Sequence, residues 1–286
     1  MKFYIGLGIL FFSVFAGYMG AGGHLKILMQ PFEFLIIFGS GIAAFIIANP
    51  GHVLDRFVTN LKKVINGPKY SKNDYSQLLN LLFSIFRLAK NKGMLSLEPH
   101  VENPFDSAIF QKFPAFMLNN SALTFMCDYL RLLTMGNDNA MQMEDLMNQE
   151  LEVLFHDDHL DVSAFEKMAD GMPALGIVAA VLGVIHTMES ISQPPEILGS
   201  LIGAALVGTF LGILVSYGIV GPIAQNLKYV LEADQKYLIC IKTAIISYMN
   251  GNAPIIVVEY GRKILDEHYR PSFTELEELT QQNTDG

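Results

Sequence analysis

Two hundred and eighty-six residues are enough for one large soluble domain or two small ones. The composition argues against a soluble chain: 51% of the residues are apolar, only 16% are charged, and the mean hydropathy is positive. The net charge of −9 falls mostly outside the apolar stretches and so says little about nucleic acid, which is not an expected partner.

The charges are segregated along the chain. Residues 3–25, 34–54, 171–188 and 197–227 contain no Lys, Arg, Asp or Glu. A helix rises about 1.5 Å per residue, so roughly 20 apolar residues cross a ~30 Å hydrocarbon core. An all-α integral membrane protein is predicted, with four transmembrane helices and a helical cytoplasmic domain. The spans fall over about 3–22, 32–50, 170–190 and 197–226. Lys2 followed by an apolar run also has the look of a secretory signal. Its apolar part, Phe3 to Met19, exceeds the usual core of about 7–15 residues, so it is read as a retained span.

Four regions follow from these spans: a first hairpin over 1–50, a loop over 51–168, a second hairpin over 169–226 and a tail over 227–286. Within the loop, Tyr75, Leu78, Leu79, Leu82, Ile85 and Phe86 form a helical stripe. Leu123, Met126, Leu130 and Leu133 form a second, ending at Gly136. Met143, Leu146, Met147, Leu151 and Leu154 form a third. From Glu144 to Asp170 nine acidic residues face Lys167 alone, which reads as a solvated helix face. His156 and His159 bracket Asp157-Asp158, but their spacing on an exposed helix is weak support for a metal site. The closing Thr280 to Gly286 reads as frayed.

The two hairpins differ in kind. The first is rich in Phe, Ile and Leu, as lipid-facing helices are. In the third span Gly176, Ala180, Gly183 and Thr187 share one face, and in the fourth Ala205, Thr209, Gly212 and Ser216 repeat the spacing. Gly199-x-x-x-Gly203 and Gly208-x-x-x-Gly212 lie beside them. Small residues let helices approach closely in lipid. Such stripes serve either packing within one chain or the wall of a narrow lumen in an oligomer. Pro173 and Pro222 are expected at similar depth near the cytoplasmic face, a candidate hinge.

Orientation follows from Lys and Arg at the span ends. Arg56, Lys62, Lys63 and Lys69 follow the second span, and Lys228, Lys236 and Lys242 follow the fourth, whereas the connection 189–196 has none. Both termini and the loop are therefore placed in the cytoplasm of an inner-membrane protein. Cys127 and Cys240 are then on the reducing side, and they form no metal or redox motif. No GxxxxGK[ST] phosphate loop and no nucleophile arrangement stands out, so no enzyme is read. Proton pumps hold their proton on an intramembrane Asp, Glu or His. No carboxylate is read in any span here, and His186 sits toward the outer end of the third. An ion path would need its carrier group from another polypeptide.

The chain resembles the MotA family, the larger stator subunit of the bacterial flagellar motor. The resemblance runs through Gln30-Pro31-Phe32-Glu33, Gly93-Met94-Leu95-Ser96-Leu97-Glu98, Pro173-Ala174-Leu175-Gly176-Ile177-Val178-Ala179-Ala180 and Val207-Gly208-Thr209-Phe210-Leu211-Gly212-Ile213-Leu214. It continues in the tail through Val258-Glu259-Tyr260-Gly261-Arg262-Lys263 and Arg270-Pro271-Ser272-Phe273-Thr274-Glu275-Leu276-Glu277. The resemblance implies a homopentamer in the lipid membrane around a MotB dimer, whose transmembrane aspartate receives the ion. It implies that Pro173 and Pro222 couple ion passage to movement and that Ala180 and Thr209 border the path. The charged loop positions, Lys90 and Glu98 with Arg87 nearby, would engage the rotor protein FliG. The family often has Arg where this chain has Lys90, and lysine keeps the charge without the bidentate fork. Sodium-type relatives carry threonine where this chain has Ala180. An alanine side chain cannot ligate sodium, so protons are favoured over sodium as the coupling ion, and no cofactor is expected. The rival readings are a TolQ/ExbB-like energiser of another envelope system, which typically has three spans, and a passive membrane scaffold.

Overall fold

The computed structural model describes residues 2–282, and every regular element among them is helical. The principal helices are α1 (Lys2–Gly20), α2 (Pro31–Ala48), α3 (Gly51–Asn66), α4 (Lys72–Lys92), α5 (Asn120–Thr134), α6 (Ala140–Met188), α7 (Pro195–Val215), α8 (Gly221–Met249), α9 (Pro254–Lys263) and α10 (Phe273–Gln282). Four stretches are long and apolar enough to cross a membrane: Lys2–Gly20, Leu25–Ala48, Ala140–Met188 and Pro195–Met249. The third and fourth spans thus continue as helix well past the boundaries that hydropathy sets. Nothing in the local sequence breaks them there, because polar residues such as Glu, Gln and Lys propagate a helix as readily as Leu does.

The chain divides into two compact units, Met1–Gly67 with Asp157–Val230 and Pro68–His156 with Leu231–Gly286. In the first, α2 places Ile37 and Gly41 against the middle of α6, where a Cβ on Gly41 would stand 2.8 Å from the Met172 methyl. Ile37, Ala169, Met172, Ala179, Leu211, Val215 and Val220 form its core. Most other apolar side chains of this unit stay exposed: α1 buries none, and Ile47, Phe32 and Ile177 are all open. Exposed apolar surface on this scale is what a bilayer or a partner chain covers. A ring cluster joins α2, α3 and α6, with Phe57 stacked on Phe165 at 5.0 Å and Phe45 edge-on to Phe57 at 5.2 Å.

In the second unit, α4 starts at a capping box in which Ser71 and Asp74 satisfy each other's backbone N–H groups. It ends at Gly93, whose φ of 86° lies in the left-handed region that suits glycine. The predicted stripe from Tyr75 to Phe86 is fully buried, as are Leu123, Met126, Leu130 and Leu133 of α5. The third stripe differs. Met143, Met147 and Leu151 are buried, but Leu146 is 45% and Leu154 42% exposed. An i, i+4 row makes the buried ridge, and those two leucines sit on its flank.

The segment after α8 completes this core, since Val257 and Val258 of α9 and Leu276 of α10 pack into the cluster around α4. The two tail motifs form a latch. Arg262 donates to both Glu259 oxygens at 2.6 Å and to the Pro271 carbonyl at 3.0 Å. Ser272 and Glu275 then cap α10 reciprocally. Hydrogen bonds from Arg262 hold the Glu259 carboxyl below the usual carboxylate range. Thr280, Gln281 and Gln282, read as frayed, end α10; residues 283–286 lie outside the described residues.

A close-packed helix seam and an exposed charged turn

The small-residue faces of α6 and α7 meet each other within one chain. A Cβ on Gly176 would stand 2.7 Å from the Gly208 carbonyl oxygen and 3.1 Å from the Gly212 Cα. One on Gly183 would stand 2.7 Å from the Ala205 Cβ, and one on Gly212 2.7 Å from the Met172 carbonyl oxygen. Of the two uses left open for these stripes, packing within the chain accounts for Gly176, Gly183, Ala205 and Gly212. Gly199 and Gly203 do not take part: nothing lies within 4 Å of a Cβ on Gly199, and Gly203 meets only Ile27 at 4.0 Å. Thr187 is buried and donates to the Gly183 carbonyl at 2.8 Å, so its hydroxyl serves its own helix. Ala180 lies at the seam, its backbone nitrogen 3.1 Å from a Cβ on Gly208, and half-buried Thr209 follows Gly208 in α7.

The two prolines are staggered rather than level. Pro173 follows Met172, whose carbonyl packs against Gly212, whereas Pro222 comes nearly three turns after Gly212, roughly 15 Å along the helix. The expectation of similar depth counted residues from the span ends and missed how far α6 and α7 overlap. Pro173 sits inside continuous α6. Just ahead of Pro222, one π-turn, Ser216–Val220, interrupts the α-helical ladder, with the Gly221 N–H bonded to the Ser216 carbonyl. A proline lacks the N–H for its own rung, and a π-turn is one way the backbone absorbs that loss. Pro222 itself is exposed, beside Tyr217, Gly218 and the Phe3–Leu10 part of α1.

A carboxylate does lie within a span, against the expectation that none would. Glu33 is in the first turn of α2, inside the stretch Leu25–Ala48. Its Oε2 lies 2.6 Å from a Cβ on Gly208, its Oε1 3.3 Å from a Cβ on Gly183. The expectation took Gln30 to Glu33 as an entry segment at the membrane border. The missing side chains of Gly183 and Gly208 instead open a recess for it.

In the other unit, Arg87, Lys90 and Lys92 occupy the last turns of α4, Lys90 and Lys92 exposed and Arg87 half-buried. Positive charge is favoured at a helix C-terminus. Glu98 is exposed after the 3₁₀ turn Met94–Leu97. Buried Ala89 and Leu97 anchor the backbone on either side of the Gly93 turn, so Lys90 and Glu98 ride on a packed support. Arg131 of α5 ties down the segment after Glu98, donating to Glu102 at 2.6 Å, to Asp128 at 2.8 Å and to the Val101 carbonyl at 3.3 Å.

Sequence reading missed an ion-pair ladder in the first unit. Arg56 of α3 donates to Asp157 at 2.5 Å and to Asp161 at 3.0 Å, and Asp161 is only 1% exposed. Tyr129 donates to Glu150 at 2.6 Å in the second unit. The acidic run is therefore not solvated throughout. Arg56 with Asp157-x-x-x-Asp161 was the available signal, because i, i+4 carboxylates share one helix face. Among the described residues no three His, Cys, Asp or Glu side chains gather to hold a metal ion.

Comparison with known proteins spans both units. Residues 4–93 match the family described as motility protein A N-terminal, and residues 118–238 match the MotA/TolQ/ExbB proton channel family. Motility protein A of Salmonella typhimurium is 41% identical over 97% of this chain and 94% of its own. In fold the chain resembles the C. jejuni MotAB structure, with a TM-score of 0.74 at 19% identity over 93% of this chain and 96% of that one. It also resembles the flagellar MotAB stator complex from Bacillus subtilis, with a TM-score of 0.70 at 24% identity over 96% and 97%.

Proposed function

The chain belongs to the MotA/TolQ/ExbB proton channel family as a motility protein A, and from that premise we propose that it is the stator subunit of a bacterial flagellar motor that works with MotB to convert proton-motive force into torque. The observation that carries this reading is the continuity of the match. It runs from the first span through the charged turn and the second hairpin to the tail latch, so both compact units belong to one machine. The solved relatives named MotAB support MotB as the partner and a multimeric assembly.

In this reading the chain is a multi-pass inner-membrane protein with both termini cytoplasmic, as the basic residues after the second and fourth spans favour. Five copies surround two of MotB, whose transmembrane aspartate takes up the proton. The α6–α7 seam forms a stiff hairpin, with Ala180 and Thr209 bordering the path. Pro173 and Pro222 with its π-turn are the points at which that hairpin yields as the proton passes. Lys90 and Glu98, with Arg87, present alternating charge to FliG. Ala180 brings no oxygen ligand for sodium, which supports protons as the coupling ion.

The test is reconstitution. Liposomes holding this chain with MotB, its periplasmic plug removed, should take up protons under an imposed potential. Liposomes holding this chain alone should match empty ones. Uptake by the lone chain would overturn the two-component reading.

A further inference from the structure

Glu33 is poorly explained as a packing residue. Its Oε2 is buried and has no hydrogen-bond partner among the described residues. Lipid-facing surface offers nothing better, and an unpaired charge in the membrane interior is costly. Although Glu33 begins α2, its carboxyl meets Gly208, which lies nearly four turns into α7, roughly 20 Å from the Pro195 end. The groups of α6 and α7 that meet it are Gly183, Gly208 and their neighbours Ala179, Ala180 and Ala205, none of which titrates. The titratable residues of the adjoining segments are all exposed: His186 on α6, 3.6 Å from Glu189; Glu196 at the start of α7; His24 and Lys26 in the α1–α2 connection. No counter-charge is therefore built for an ionised Glu33.

We propose that Glu33 is a proton-binding site within the membrane-spanning part of this chain, a second acid beside the one the partner supplies. The carboxylate takes one proton from the aqueous phase and becomes the neutral acid, which the apolar recess between Gly183 and Gly208 accommodates. Glu33 is half-buried, with Oε2 as its closed-off oxygen, so the proton exchanges through the open side of the carboxyl. Its part in conduction rests on the proton-driven reading above; the binding of the proton does not.

The experiment uses the complex with MotB in lipid nanodiscs, the partner's aspartate replaced by asparagine in every sample. Infrared difference spectra are taken as pH is stepped through neutrality. We expect a carbonyl band of a protonated carboxylic acid that shifts in D2O, is lost in Glu33→Gln and moves in Glu33→Asp. Size-exclusion chromatography confirms that each variant assembles. Gly208→Ala provides a second arm: its methyl group would stand 2.6 Å from Oε2 and 2.9 Å from the Ala179 Cβ, so the carboxyl must shift and the band should move or vanish with Glu33 itself unchanged. Absence of the band in the unmutated chain, its persistence in Glu33→Gln, or an unaltered band in Gly208→Ala overturns the proposal. Proton flux through the complex with its native aspartate tests the underlying function separately. Flux without the band removes Glu33 alone, whereas the band without flux removes the proton-driven reading.

Discussion

Gly176 and Gly208 meet backbone to backbone, with the Gly208 carbonyl oxygen 2.7 Å from the place a side chain on Gly176 would start. Gly176→Ala and Gly212→Ala should therefore force α6 and α7 apart. Overpacking of this kind costs about 1–3 kcal/mol. Gly199→Ala meets nothing within 4 Å and should be neutral or slightly stabilising, since alanine is the better helix former. Thermal unfolding of the purified complex separates the two classes, and equal behaviour of Gly199 and Gly212 would remove the seam as the explanation.

The stagger of the prolines makes their effects separable. Pro222→Ala supplies an N–H for the Gly218 carbonyl, and Pro173→Ala one for Ala169, so each should stiffen its helix and slow rotation while assembly persists. Sites more than about 7–10 Å apart usually combine additively in free energy. The double mutant should then be more impaired than either single mutant. A double mutant no worse than either single one would mean that the prolines act as one hinge.

Lys90→Glu combined with Glu98→Lys should lower torque while leaving proton flux unchanged. Each exposed pair is worth only about 0–1 kcal/mol, so Arg87 and Lys92 will buffer single changes. Reversing both creates like-charge contacts across a polar interface. Complementary reversals in the rotor protein should recover part of the torque. A parallel loss of flux would place these residues outside force delivery.

Motility should persist without sodium and stop with a protonophore. Each proton crossing ~100 mV releases about 2.3 kcal/mol, and nothing at Ala180 replaces that drive with sodium. Swimming speed that tracks external sodium at fixed proton-motive force would reverse the assignment. Ala180→Thr alone should not confer sodium dependence, because its nitrogen side faces Gly208 in the closed seam.

Both thiols should resist alkylation in the folded protein. Burial pushes the Cys127 thiol up to about 12 and Cys240 higher still. The reactive thiolate is therefore scarce at neutral pH and appears only as pH rises toward that value. Labelling with iodoacetamide at pH 8 should appear only in denaturant. Labelling of Cys127 in the native complex would contradict the packing of α5.

Hydropathy and helical periodicity made the four spans and the α4 and α5 stripes legible, because each is a property of residues near one another in sequence. The glycines of α6 and α7 announced close packing, but not whether their partner was another subunit or each other. That depended on the overlap of two helices, which no local spacing encodes. The same overlap displaced Pro173 from Pro222 and drew Glu33 from the apparent membrane border to Gly208. Arg56 was counted as a topology signal, and its partners lay about a hundred residues away. The tail motifs carried only a family resemblance in the sequence, and the fold shows their local use: Arg262 and Ser272 hold the chain to itself.

Because α9 and α10 close over α4, that helix cannot finish burying its apolar face when it is first made. Ribosomes add about 5–20 residues per second, so the α4 stripe waits on the order of 10–40 seconds for Leu276 of α10 to be synthesised. During that interval the stripe from Tyr75 to Phe86 is open to chaperones, to proteases and to the same stripe on another nascent chain. Polysomes translating this message carry many such half-finished faces side by side. The rate of translation through the second hairpin therefore bears directly on the yield of folded protein.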